Sequence, residues 1–206
     1  MIAQLLHGVL NQYHRAHDLR EVPVLIDLLK PMMEQRGYAD RIIWECYEAP
    51  ARNIAAQVMF YEADLGVYAG TGDYARIQYS SSLNFCWQRF VVCKEMYHCV
   101  IDGPNKRVTN VNDLLKLAEY LVDDTIAQLE EFPAHDTEQI AEILALETLF
   151  PLELRSHHLA DYTAGKITAH QLALRYRIPQ QYARTAMYPN YYRSIERLRE
   201  GNLVGI

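Results

Sequence analysis

The sequence predicts an α+β protein that is predominantly helical and contains a small antiparallel sheet. Apolar residues recur at helical spacing through most of the chain, which favours helices over strands. Two short runs of β-compatible residues, 57–61 and 74–79, lie on either side of a glycine-rich turn, which predicts a pair of strands. The chain has 206 residues, of which 50% are hydrophobic, so it can bury a core and form one main domain with a small appendage.

The charge and the hydropathy pattern exclude several classes of protein. A net charge of -6 argues against a chain whose whole surface binds nucleic acid or anionic lipid, although a local basic patch stays open. No segment approaches the roughly 18 consecutive apolar residues that a membrane-spanning helix requires. Residues 1–17 lack the basic region and apolar run of a signal peptide and show an amphipathic helical pattern. We therefore expect a cytoplasmic protein with no membrane partner.

The four cysteines, Cys46, Cys86, Cys93 and Cys99, include no CxxC pair. Cys86 and Cys93 share a helical face, but the helical rise separates them by about 10 Å, which is too far for a disulfide. The sequence therefore predicts reduced, partly buried thiols in a cytosolic protein.

Residues 1–54 are predicted to form an N-terminal helical cover. Residues 1–37 show two helical patterns, of which the second runs from 23 to 35. Pro31 is expected to disturb this second helix, and Gly37 is expected to end it.

The turn between the two predicted strands contains Gly66, Gly70, Gly72 and Asp73. Glycines at this spacing also occur in phosphate-binding loops. However, no GxGxxG follows a strand and opens a helix here, and no Lys-Ser/Thr pair closes a P-loop. The glycines therefore indicate a hairpin connection and not a nucleotide site.

Helical patterns fill the rest of the chain. A long helix is predicted over 83–101, ended by Asp102-Gly103-Pro104. The remaining predicted helices cover 112–130, a segment that starts near Asp136 and stops at Pro151, and three short C-terminal segments at 168–176, 179–188 and 190–200.

The pattern that carries chemistry lies at residues 94–98, which read K-E-M-Y-H. In an H-E-x-x-H helix the two histidines stand one turn apart and bind one zinc ion, while the glutamate acts on the metal-bound water. Here Glu95 and His98 keep the places of the base and the second ligand, and Lys94 stands where the first ligand is expected. Alone, E-x-x-H is a weak signal, because helical proteins contain such pairs by chance.

The flanking residues resemble the ImmA/IrrE family of bacterial and phage metallopeptidase-like proteins. In that family a helix that typically reads RFTLAHELGH follows a strand. Residues 89–98 read R-F-V-V-C-K-E-M-Y-H and follow the predicted strand, so the arginine, the phenylalanine, the glutamate and the last histidine match without a gap.

Two further segments are similar to motifs of the same family. Residues 138–151, E-Q-I-A-E-I-L-A-L-E-T-L-F-P, are similar to its ExxAN-x-FAAELLMP helix, which supplies the third zinc ligand. Residues 172–179, L-A-L-R-Y-R-I-P, are similar to its LA-x-x-F-x-V-S tail. The resemblance extends roughly from residue 57 to residue 187. It implies a zincin-like, metallopeptidase-like core over 55–155 and a helix-turn-helix-like C-terminal segment over 156–206.

For intact members, the resemblance implies zinc-dependent cleavage of repressors or other regulators. Carried onto this sequence, it gives Glu95 as the catalytic base and His98 as a metal ligand. Glu138 is the preferred equivalent of the third ligand, with Glu142 as the fallback. Lys94, Glu142 and Tyr97 would line the pocket.

Lys94 is the departure that puts metal binding in doubt. An ammonium is a strongly hydrated cation that repels Zn²⁺, whereas metal binding requires deprotonated donors. We therefore expect no bound zinc unless another donor completes the site.

Three interpretations of the motif stay open. In the first, the Lys94 ammonium pairs with Glu138 or Glu95 near the metal position, which leaves a structural relic or a partner surface. In the second, one of the histidines that flank the second motif completes the zinc shell, and the glutamate of the motif still activates water. In the third, Glu95 is solvated, His98 is half-buried and Lys94 lies along apolar surface. The histidines considered in the second interpretation are His135, His157 and His158.

The C-terminal segment 168–200 carries six arginines and two glutamates, which gives it a charge of +4, and tyrosines lie between the arginines. This composition suits phosphate contacts or a protein interface. Gln180, Gln181 and Arg184 would fit the start of a DNA-recognition helix. In the resembled family the comparable helices mostly pack beside the peptidase core, which favours packing and protein interaction over DNA contact.

The sequence therefore leads to one preferred hypothesis and two alternatives. The preferred function is that of an ImmA/IrrE-like regulatory protein, a pseudoenzyme with a degenerate site that binds a protein partner such as a repressor. The alternatives are an active zinc endopeptidase with a substitute ligand, and a DNA-binding regulator that uses the Arg/Tyr-rich segment.

Overall fold

A computed structural model of the chain describes residues 2–17, 23–48, 55–64, 70–102 and 133–200. The predicted helix at 112–130 lies outside these residues. Within them, the chain forms three strands and nine helices. These are α1 (Ile2–Ala16), α2 (Ile26–Glu34), β1 (Arg41–Tyr47), β2 (Ala56–Asp64), β3 (Thr71–Ser80), α3 (Phe85–Ile101), α4 (Pro133–Leu149), α5 (Leu152–Ser156), α6 (Leu159–Thr163), α7 (Ala169–Tyr176), α8 (Gln180–Ala186) and α9 (Pro189–Glu200).

The three strands form one sheet in the order β1-β3-β2. β2 and β3 are the two predicted strands, and they pair antiparallel, with Ala56 opposite Tyr79. β1 pairs parallel to β3, with Arg41 opposite Tyr74, so the sheet is mixed and the prediction of an antiparallel sheet is correct for only one of its two pairings. β1 lies inside the predicted N-terminal helical cover, although its sequence, R-I-I-W-E-C-Y, is rich in β-branched and aromatic residues.

α3 is the central helix, and it packs against α2, α4 and the sheet. Ten of its residues between Arg89 and Cys99 are buried, Phe90, Cys93 and Met96 among them, so buried side chains lie all around the helix, as expected for an element covered on several sides. Ile42 and Ile77 cover the inner face of the sheet below it. The helix begins after Asn84, whose side chain accepts a hydrogen bond from the Trp87 amide.

α1 and α2 pack together at the N-terminal side, as predicted, and α2 continues through Pro31. Gly37 follows α2 at a close approach to α3. A Cβ atom at Gly37 would lie 2.6 Å from the carbonyl oxygen of Cys99, so any other residue would push the two segments apart. The predicted stop at this glycine is therefore also a packing requirement.

α7 and α8 pack together, and α8 contacts α3. α7 begins at Thr168, which forms a capping box with Gln171, and it ends at Arg177, which has a φ of 54°. α8 follows directly, and its Tyr182 ring stacks on Phe90 of α3 with 3.8 Å between the ring centroids. The three predicted C-terminal helices are confirmed within a few residues, whereas the short helices α5 and α6 were not predicted.

All four cysteines are free thiols, and Cys93 and Cys99 are buried. Burial raises the pKa of Cys93 to about 12, so this thiol stays protonated and inert at neutral pH. None of the described helices is both long enough and apolar enough to span a bilayer.

Candidate functional site

α3 carries three of the predicted site residues on neighbouring turns. Lys94, Glu95 and His98 lie within five residues, and helical geometry directs positions 94 and 98 to the same side. Glu95 and His98 are buried, with exposed fractions of 5% and 6%. α4 packs along α3 and brings Glu138 to this side of the helix.

Glu138 joins the residues of the motif. One of its oxygens, Oε1, accepts a hydrogen bond from the Lys94 ammonium. Its other oxygen, Oε2, lies 2.8 Å from Nε2 of His98. The Lys94 ammonium also lies 3.1 Å from Oε1 of Glu95. The four residues therefore form a connected cluster, in which a lysine and a histidine share one carboxylate.

Asp102 completes the cluster at the end of α3. Its Oδ2 lies 2.8 Å from Nδ1 of His98, so both ring nitrogens of the histidine face carboxylates. Asp102 was predicted only as part of the signal that ends the helix. Its spacing from His98 could have identified it as a site residue. A residue four positions later on a helix lies on the same face.

The surrounding charges determine the protonation of His98. Burial acts to lower its pKa, but the hydrogen bonds to Asp102 and Glu138 and the charge of Glu95 outweigh burial and raise the pKa to about 9. At neutral pH the ring is therefore an imidazolium that donates from both nitrogens.

Lys94 and Glu138 stabilise each other's charged forms. Burial of Lys94 opposes its charge, but Glu95 and Glu138 outweigh burial and raise the pKa of the ammonium. Burial would also raise the pKa of Glu138, but His98 and Lys94 lower it to about 2. Because 47% of the Glu138 side chain is exposed, solvent screens part of these interactions.

The arrangement of these donors does not fit a zinc ion as it stands. A histidine ligand must offer a lone pair, whereas both nitrogens of His98 lie 2.8 Å from carboxylates, which raise the pKa of the ring and favour its protonated form. The Glu138 carboxylate is bonded to the Lys94 ammonium, which would repel a dication. Within the described ranges, no three His, Cys, Asp or Glu side chains are grouped so that they could hold a metal.

The candidate substitute donors do not join the cluster where the structure describes them. Nε2 of His158 lies 2.7 Å from the Tyr176 hydroxyl, and burial lowers the pKa of this histidine. His157 is exposed. His135 lies in α4, but its side chain is outside the described part of the structure.

Two predicted pocket residues lie elsewhere. Tyr97 is fully buried, and its hydroxyl lies 2.5 Å from the hydroxyl of Thr148, so it belongs to the packing between α3 and α4. Glu142 lies one turn after Glu138 on α4, where it lines a separate cavity with Tyr182 of α8.

Arg89, the matched arginine of the motif, has a structural role. It is buried and donates to the carbonyl oxygens of Val24, at 2.7 Å, and of Arg177, at 3.1 Å. It therefore ties α3 to the segment before α2 and to the turn between α7 and α8. The positions considered for DNA contact, Gln180, Gln181 and Arg184, are all exposed.

Comparison with known proteins adds no family assignment. The chain matches no protein-family model, no curated protein and no solved structure. The resemblance to the ImmA/IrrE family therefore depends on the three sequence motifs.

Proposed function

We propose that this chain is an ImmA/IrrE-like regulatory protein whose zinc-peptidase site is degenerate, and that it acts by binding a protein partner. In this proposal the Lys94 ammonium replaces the positive charge of the metal. The observation that carries the proposal is the position of Glu138, whose two oxygens contact Lys94 and His98.

This contact supports the register of the resemblance. The family motifs select Glu138 as the equivalent of the third ligand, although it lies 40 residues after His98 and 44 after Lys94 in the sequence. Helical periodicity alone cannot bring such distant residues together. Their convergence is what a site of this family requires, with an ammonium at the position of the first ligand.

The same contacts argue against retained hydrolysis. A zinc peptidase needs its glutamate free to accept a proton from a metal-bound water. Here Glu95 is buried and paired with Lys94, and His98 is held between two carboxylates. The cations Lys94 and His98 thus already balance two of the three carboxylates of the cluster, which suits a stable surface better than a catalytic centre.

Exposed apolar side chains are available to a protein partner. Phe85, Leu174 and Tyr188 are each more than half exposed, at 55%, 57% and 60%. Exposed aromatic and arginine side chains together are typical of protein interfaces. α8, the candidate DNA-recognition helix, is held against α3 by the stacking of Tyr182 on Phe90.

Zinc content tests the proposal most directly. We expect protein purified without chelators to contain far less than one zinc per chain, and to cleave no member of a mixed peptide library when zinc is added. Lys94→His should gain about one zinc per chain, because it restores the first ligand beside His98 and Glu138.

A matched double variant tests whether the gained zinc lies at this site. Lys94→His/Glu138→Gln lacks the carboxylate ligand and should lose most of the gained affinity, on the order of 10- to 100-fold. One zinc per chain in the unmodified protein would overturn the degenerate-site proposal, and peptide cleavage by it would favour the peptidase alternative. Equal zinc affinity of the single and the double variant would show that the register is wrong.

A further inference from the structure

A small cavity lies between α4, α8 and α9, one helical turn from Glu138. Its volume is about 210 Å³. Its polar lining residues include Gln139, Glu142 and Thr185, and its aromatic walls are Tyr182 and Tyr191. Because pockets for small-molecule ligands usually begin at roughly 300 Å³, this volume suits one inserted side chain better than a complete ligand.

Glu142 places a carboxylate in the lining of the cavity. The two other glutamates of α4 form ion pairs, Glu138 with Lys94 and Glu147 with Arg155. Across the ranges that the structure describes, no ion pair of Glu142 is found. The carboxylate is half-buried, so a cation that reached it would be only partly screened by water.

The aromatic walls of the cavity are held in place before anything binds. One face of the Tyr182 ring stacks on Phe90. The Tyr191 hydroxyl donates to Oε1 of Glu147 at 3.1 Å, and the guanidinium of Arg155 lies over the Tyr191 ring. A site with fixed walls loses little conformational freedom when it is occupied.

The pKa values of the two tyrosines reflect mainly burial, with a contribution from the neighbouring charges. Burial raises the pKa of Tyr182, and the hydrogen bond with Glu142 raises it further. Burial and Glu147 raise the pKa of Tyr191, the Arg155 cation opposes this rise, and Glu142 adds to it. The Glu142 carboxylate would therefore attract an incoming positive group at the Tyr182 wall, whereas the Arg155 guanidinium already lies over the Tyr191 ring.

We propose that this cavity binds an arginine side chain of the protein partner, with the guanidinium on the Glu142 carboxylate and the stem against Ile143 and Leu146. Both apolar residues line the cavity. Arginine fits better than lysine, because its planar group is weakly hydrated, donates several hydrogen bonds to oxygens in one plane and packs on aromatic rings. This inference rests on the proposed function in one respect, because the arginine is taken to belong to a protein partner.

Titration with N-acetyl-L-arginine amide, followed by ¹H–¹⁵N NMR, tests the site. We expect shifts at residues 139–146 and 182–191 and a dissociation constant on the order of 1 mM. N-acetyl-L-citrulline amide has nearly the same shape but no charge, and it should bind at least about tenfold more weakly.

Three variants separate charge from shape. Glu142→Gln keeps an acceptor for Tyr182 and should weaken arginine binding about tenfold. Glu62→Gln removes the same charge from an exposed position on β2 and should bind like the unmodified protein. Thr185→Phe should block the cavity without a change in charge.

The arginine proposal is overturned if about 20 mM arginine amide shifts no cavity residue, if citrulline amide binds equally well, or if Glu142→Gln and Glu62→Gln behave alike. The zinc measurements are independent of this titration. Bound zinc together with arginine binding would refute the proposed function and leave the cavity as a site. Absence of both would refute the arginine site alone.

Discussion

Two charged clusters include glutamates of the same helix, α4, and they differ in how far their side chains are buried from solvent. Near the end of the helix, Glu147 pairs with Arg155, and both side chains are fully buried. The guanidinium donates to both oxygens of Glu147, at 2.6 and 2.7 Å, and to the carbonyl oxygen of Ala186 at 3.0 Å. Near the start of the helix, the Lys94 and His98 cluster includes Glu138, which is 47% exposed.

The difference separates a structural ion pair from a candidate site. The Arg155 pair balances one charge with one charge and connects α4, α5 and the end of α8. The Lys94 cluster sets three carboxyl groups against two cations, contains a histidine whose pKa is raised to about 9, and is open to solvent at Glu138. A change of pH or an approaching partner can therefore alter the Lys94 cluster, whereas the Arg155 pair is shielded from solvent.

The largest effect is expected from breaking the buried pair. Arg155→Met leaves Glu147 as an uncompensated buried charge and should lower the free energy of unfolding by about 3–5 kcal/mol, measured by urea denaturation. Arg155→Met/Glu147→Leu removes both charges and should be more stable than the single variant. A loss below about 1 kcal/mol in Arg155→Met would show that the pair is not buried as described.

A smaller effect is expected when pH discharges His98. Its folded pKa of about 9 lies above the ordinary value of 6.5, so its contribution to stability is complete below pH 6.5 and is lost as pH rises towards 9. Because solvent screens part of the interaction at Glu138, we expect the free energy of unfolding to fall by about 2 kcal/mol over this pH range. Glu138, with a pKa of about 2 instead of 4.5, contributes above pH 4.5 and loses its contribution as pH falls towards 2.

Urea denaturation between pH 4.5 and pH 9 measures the part of this pH dependence that comes from His98, with His98→Gln as the control. Other groups titrate in both proteins, so the difference between the two profiles isolates the histidine. If the alkaline loss of stability is the same in His98→Gln, the imidazolium described here does not form.

The smallest effect is expected from removing the cation of the open cluster. Lys94→Met leaves Glu95 and Glu138 without their ammonium, but Glu138 can turn to water and keep its contact with His98. The loss should be about 1–2 kcal/mol. Lys166→Met is the matched control, since Lys166 lies 3.4 Å from Asp161 in a pair that is more than half exposed, and it should change stability by less than about 0.5 kcal/mol. Equal losses would remove the distinction between a site cation and a surface cation.

Part of the fold could be predicted from local pattern. Residue type and spacing predict the strands β2 and β3 and the helix α3, because these patterns depend on residues only a few positions apart. β1 was missed although its composition favours a strand, because its partner β3 lies about 30 residues further on and the pairing is parallel. The contact of Asp102 with His98 was not predicted, because the sequence pattern assigned this residue only to the end of the helix.

The sequence by itself determined which chemical groups share the turns of α3 at positions 94, 95 and 98, because helical periodicity is a local property of the backbone. It also identified Glu138 as the carboxylate to expect opposite them, but only through resemblance. Tertiary structure alone decided that Glu138 accepts from Lys94 and faces His98 at once, that Asp102 holds the other ring nitrogen, and that Glu142 faces a different cavity. Contacts between distant segments depend on how whole helices pack, and no short stretch of residues specifies that packing.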